Sequence, residues 1–218
     1  MFTVSTGNLP NKLQVPKGFP PETIAAIEHA ARDTFVRHGV SAFQMSREAA
    51  ISHEAGHAVV GAHEGVNFQS IRIFSRSMPP FGTVWGGWCA EDNDRGHPIG
   101  PDISVESELS IARVTIAGLA GEAVCRLDKP GSSLDELEVS RRIGFNAAFK
   151  LADPALSDAE YFAYAQELWH ERVWRVAVAI LCENWEPFMR LVEHLQRHGK
   201  IKGSKLRTML AQVRRITS

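Results

Sequence analysis

The sequence predicts a mainly α-helical domain with a small β-sheet, an α+β chain. From residue 46 onward apolar residues recur at helical spacing through most of the chain. Residues 68–89 break that rhythm and approach the alternation of strands, which is enough for a small sheet and no more. No segment repeats, which argues against a solenoid or a propeller.

The elements follow in order. Residues up to about 20 are rich in Gly, Pro, Asn and Lys and predict an irregular lead-in. Pro20-Pro21-Glu22-Thr23 opens a helix carrying Ile24, Ile27, Ala31 and Phe35 at helical spacing, and Gly39 stops it. Residues 1–45 are therefore a lead-in and helix, and residues 46–213 the main domain. A helix starting near Ser46-Arg-Glu48 runs to about His63. Residues 68–74 form a strand, 75–80 a loop, and 82–89 the partner strand. Residues 91–102, acidic with glycines and prolines, are a surface loop. Helix returns from Ile103 and ends in residues 116–125, where small residues permit close packing. A break at 128–132 precedes a helix over about 134–151. Two more helices cover about 158–197, with the apolar residues 173–185 as core, and a short piece over 203–213 follows.

Composition excludes several classes. The chain has 218 residues, 44% hydrophobic and 22% charged, the balance of an ordinary globular protein. A net charge of -1 argues against a nucleic-acid binder that relies on a strongly basic surface. The longest apolar run, residues 176–182, is far too short to cross a bilayer, and the start lacks the pattern of a signal peptide. Cys89, Cys125 and Cys182 form no Cys-x-x-Cys pair and read as reduced, mostly buried thiols of a cytoplasmic protein.

The chemistry is concentrated in Ile51-Ser-His-Glu-Ala-Gly-His-Ala-Val-Val60. His53 and His57 lie about one helical turn apart, so both project from one face and can grip a single metal ion. Glu54 follows the first histidine, where it can act as general base for a water at that ion. This is the His-Glu-x-x-His signature of zinc hydrolases. His170-Glu171 lacks the second histidine and carries no such meaning. The structural alternative is a helix holding two hydrogen-bonded, partly buried histidines.

A catalytic zinc takes three protein ligands. Glu64, Glu91 and Asp92 sit in loop-like sequence. Glu122 and Asp135 lie in helical contexts of buried character and are the better candidates for the third ligand. Asp135 shares a stripe with Val139 and Ile143, an inward row. Glu136 shares its stripe with Ser140, and Glu138 with Arg141 and Arg142, so both of these acids are expected to face solvent. Asp135 is equally readable as a helix-capping carboxylate, since Ser132 to Asp135 has the spacing of a capping box.

Four motifs in this order resemble the peptidase domain of the FtsH-type ATP-dependent zinc metalloproteases over residues 46–212. They are His53-Glu-Ala-Gly-His-Ala58; Ser70-Ile-Arg-Ile-Phe-Ser-Arg76 with Phe81-Gly-Thr-Val84; Gly118-Leu-Ala-Gly-Glu122; and Gly131-Ser-Ser-Leu-Asp135. Leu119 replaces an arginine of the family pattern and Glu136 a hydrophobic residue, so the relation is distant. The resemblance implies an FtsH-peptidase-like zincin helical domain, with one zinc ion held by His53, His57 and Asp135. It makes Glu122 a carboxylate that orients a ligand histidine or the helix.

The activity expected is that of a zinc metalloendopeptidase. Zinc activates water near neutral pH, and Glu54 takes its proton and passes it to the departing amine. No nucleotide-binding loop occurs, so activity is expected to be ATP-independent as encoded, on peptides or flexible protein segments. Expected partners are a homo-oligomer or a separate ATPase chain, with no nucleic acid and no membrane. A strand edge at residues 82–88 offers a place for an extended peptide, with Trp85 or Trp88 lining a pocket; the same tryptophans and glycines also read as core packing and a bulge. The alternatives are a metal-binding regulatory or adaptor protein without turnover, and a zinc hydrolase of a non-peptide amide.

Overall fold

The computed structural model describes residues 46–77, 82–91, 103–125 and 134–215, except for the side chains of residues 134 and 135. The expected lead-in and helix over 1–45, most of the acidic loop before Ile103, and the break at 128–132 lie outside the described residues. Within them the protein is mostly helical with one three-stranded antiparallel sheet.

Helix α1 spans Arg47–His63, and Ser46 caps it by accepting a hydrogen bond from the Ala49 N–H at 3.1 Å. Strands β1 (Phe68–Ser77) and β2 (Thr83–Glu91) form an antiparallel pair in the order β2-β1-β3. Strand β1 thus runs through residues 75–77, which the sequence assigns to a loop. Helix α2 (Val105–Cys125) is the central element, packed on α1, on α3 (Leu134–Leu151), and on the helices that follow.

Helix α4 (Asp158–Trp169) starts in a capping box between Ser157 and Glu160. It passes through a π-helical turn, His170–Trp174, into α5 (Arg175–Glu183). Arg113 of α2 meets this turn: it is buried, donates to the Arg172 carbonyl at 3.3 Å, and is gripped by Glu64 at 2.7 Å and Glu106 at 2.7 Å.

Helix α6 (Trp185–His198) ends at Gly199, whose φ of 67° suits glycine, and the chain enters β3 (Lys200–Lys202) before α7 (Gly203–Leu210). The sequence reads 199–203 as a helix end. A three-residue strand is too short for its alternation to register.

The core gathers on α2. Leu109, Ile116, Ala117 and Ala120 are fully buried against Ile51, Ala55 and Val59 of α1 and against Trp174, Ile180 and Leu181. The run 173–185 is core, as its apolarity requires. Cys182 is buried and Cys89 half-buried, but Cys125 is exposed at the end of α2, contrary to expectation. No helix among the described residues is long and apolar enough to cross a membrane.

Candidate metal centre

The site forms where α1 lies against α2, and glycines let the two backbones touch. A methyl group at Gly56 would stand 2.3 Å from the Ala117 carbonyl oxygen, and one at Gly121 would stand 2.3 Å from the Ser52 oxygen. Only hydrogen at these positions permits this crossing. Gly118 makes room in the same way for the imidazole of His53, whose Nε2 would lie 2.4 Å from an added methyl.

That closeness delivers two acceptors to the two histidines. His53 Nδ1 lies 2.7 Å from Oε1 of the fully buried Glu122, and His57 Nδ1 donates to the Val114 carbonyl at 2.9 Å. A carbonyl can only accept, so the hydrogen of a neutral His57 is on Nδ1 and its Nε2 lone pair points into the site. Glu122 imposes the same tautomer on His53.

The two Nε2 atoms are 3.1 Å apart. Two lone pairs at that distance repel unless positive charge lies between them. Glu136, in the first turn of α3, brings Oε1 to 3.1 Å from His53 Nε2 and 3.3 Å from His57 Nε2. The three donors form a triangle with edges of 3.1, 3.1 and 3.3 Å. A tetrahedral zinc with bonds of about 2.0–2.1 Å has donor–donor edges of roughly 3.3–3.4 Å. The three donors could hold one metal ion, and their spacing is close to that around a tetrahedral zinc.

Electrostatics point the same way. Burial alone would lower the His53 pKa, but Glu136 and Glu122 outweigh it and hold it well above the ordinary imidazole value. His57 is also raised, against burial, chiefly by Glu136. Burial would raise the Glu136 carboxyl, yet His57 and His53 hold it far below the usual carboxylate range. The Glu136 and Glu122 carboxylates thus favour positive charge at this point.

The position of Glu136 corrects the sequence reading, which turned it to solvent with Ser140. Ser140 is fully buried: its hydroxyl donates to the Ala112 carbonyl at 2.9 Å and accepts from Trp169 Nε1 at 3.1 Å. The stripe of Glu136 and Ser140 turns inward because both polar groups find partners there, Glu136 on α1 and Ser140 on α2 and α4. Glu138 is exposed, as expected. Asp135 is the neighbouring residue in the same first turn of α3, and its side chain lies outside the described residues.

Glu54 is buried beside His57 and borders, with Phe68, Gly87 and Glu136, a cleft of about 260 Å³. Strand β2 closes over it. A methyl group at Gly87 would lie 2.1 Å from the Glu54 Cγ, and Cys89 Sγ donates to the Glu54 carbonyl at 3.2 Å. Burial, then Glu54, pushes the Cys89 thiol well above its ordinary range, so it stays protonated.

No family model matches the chain, and no curated protein does. Its chemistry is read from the site.

Sequence reasoning brings together His53, Glu54, His57 and Glu122, all of which meet at the cleft or its edge. It misses Glu136 and the Val114 carbonyl. A backbone acceptor leaves no mark in a sequence, whereas the pair Asp135-Glu136 marks two acids of which either can turn inward. Gly86 lies under the Phe74 ring and Gly87 under Glu54, and the pairing of β1 with β2 runs through both without a bulge. Trp85 is half-buried with the Arg47 guanidinium 5.7 Å from its ring centre, while Trp88 is 66% exposed.

Proposed function

We propose that this protein is a zinc-dependent hydrolase, a metallopeptidase of zincin type that cleaves peptides or flexible protein segments. The observation that carries the reading is the triangle of His53 Nε2, His57 Nε2 and Glu136 Oε1, with Glu54 in the adjoining cleft. His53, His57 and Glu136 hold the metal. Glu122 and the Val114 carbonyl keep both imidazoles in the tautomer that presents Nε2. When bound, zinc acts as a Lewis acid and brings the pKa of water towards about 7. Glu54 accepts the proton of the attacking water and returns it to the leaving amine nitrogen.

A base next to a three-donor centre favours turnover over a purely structural site, which fills four positions with protein ligands. The peptide assignment draws on β2, the outer strand of the sheet, whose second edge is unpaired among the described residues and borders the cleft. An extended segment can add there as a further strand. The resemblance to FtsH-type peptidases supports the same substrate class. The test is cleavage of unfolded casein by zinc-loaded wild type and by Glu54→Gln. Cleavage by wild type alone, with equal zinc content in both, supports the proposal; equal cleavage by both removes it.

A further inference from the structure

The sheet has two faces of opposite character. Ile71, Ile73 and Ile201 turn inward and are buried on the side where α1 and α7 pack. Alternation sends the intervening residues the other way: Arg72, Phe74 and Arg76 on β1, Trp88 on β2, Lys200 and Lys202 on β3. All four cations on this outer face are exposed, and none has an acidic partner among the described residues. On α6, by contrast, Arg190 pairs with Glu186 and Arg197 with Glu193, one turn away. No Asp or Glu occupies an outward position on any of the three strands.

Trp88 stands on β2, at one side of this face. It lies across the ladder from Arg72, which pairs on its other side with Lys200. The Phe74 ring covers Gly86, with 3.4 Å from its edge to the place of a Gly86 methyl. The Trp88 indole, 66% exposed, is left as the free flat ring. Phe149 and Phe162 are exposed as well, but on helices; Trp88 is the exposed aromatic that stands beside cations.

We propose that this outer sheet face binds single-stranded nucleic acid, with phosphates on Arg72, Arg76, Lys200 and Lys202 and a base stacked on Trp88. An uninterrupted set of unpaired cations is complementary to a polyanion. An exposed aromatic among them is what an unpaired base can use and an acidic polypeptide cannot. Arg72 and Arg76 stand about 13 Å apart along β1 and neighbouring strands about 4.8 Å apart, so the charges follow a path rather than a point. A duplex calls for an element that enters a groove, which a flat face does not offer. The net charge of -1 argued against nucleic acid at the level of the whole chain, but its distribution leaves one face wholly basic. The inference does not rest on the hydrolase reading.

The test is fluorescence anisotropy of the full chain with a labelled oligothymidylate and an oligouridylate, in salt from about 50 mM upward. Binding is expected with a log–log salt slope of about -3 for four phosphate contacts. Trp88→Ala should weaken it roughly tenfold and Trp88→Phe much less. Arg72→Ala and Lys202→Ala should each flatten the slope by about 0.7. These side chains are exposed, so the variants should fold, and Glu54→Gln should bind like wild type. Absence of binding at low salt, or affinity unchanged in both Trp88→Ala and Arg72→Ala, would overturn the proposal. So would polyglutamate binding as tightly as the oligonucleotides, which would make this a site for acidic polypeptides.

Discussion

Gly87 and Glu54 are locked together: a methyl group on the β2 residue would lie 2.1 Å from the Cγ of the helical glutamate and 2.5 Å from its Oε1. The strand backbone is thus the wall that sets where the carboxylate points. Gly87→Ala should displace it and lower kcat roughly tenfold to a hundredfold while zinc content holds. The clash should cost about 1–3 kcal/mol of stability. A double-mutant cycle checks the cause, since in a Glu54→Ala background the same change should cost almost nothing.

Glu122 should govern metal affinity without touching the metal. Glu122→Ala leaves His53 Nδ1 without its acceptor at 2.7 Å and should weaken zinc binding roughly ten- to a hundredfold in competition with a chelating dye. Glu122→Gln, which keeps an acceptor oxygen, should lose less. Equal affinity in all three proteins would remove the orienting function.

The third ligand can be separated from its neighbour. Glu136→Gln should lower zinc affinity by at least roughly tenfold, and Asp135→Asn should leave it near wild type. The reverse result would move the ligand to Asp135, the residue that the likeness to FtsH-type peptidases indicates.

Acid should weaken the pair of Glu64 and Arg113. Burial would raise the Glu64 carboxyl, but His63 and Arg113 hold it down to about 2. A carboxylate with a depressed pKa adds stability above its ordinary value of 4.5 and loses it as pH falls through the folded value. Urea midpoints should therefore fall between about pH 4.5 and 2, by at most about 3 kcal/mol from this group. Glu64→Gln should shrink that acid-dependent loss.

The long elements were legible because their apolar periodicity runs over many residues. Arg47–His63 and Leu134–Leu151 fall where the pattern puts them. The π-helical turn was not legible, because one extra residue in a turn leaves the apolar pattern of 158–183 almost unchanged. The placement of His53, Glu54 and His57 could be read because one helical turn fixes their geometry. Glu136 could not: whether Asp135 or Glu136 turns inward depends on the rotation of α3. That rotation is set by contacts such as Ser140 with Ala112 and Trp169, and by Gly144 against Trp169.

The metal centre itself is tested most directly by crystals grown with zinc and measured at the zinc absorption edge. The account predicts one anomalous peak within about 2.2 Å of His53 Nε2, His57 Nε2 and a Glu136 carboxylate oxygen. Crystals with no peak between the two histidines, from protein that is folded and exposed to zinc, would contradict it.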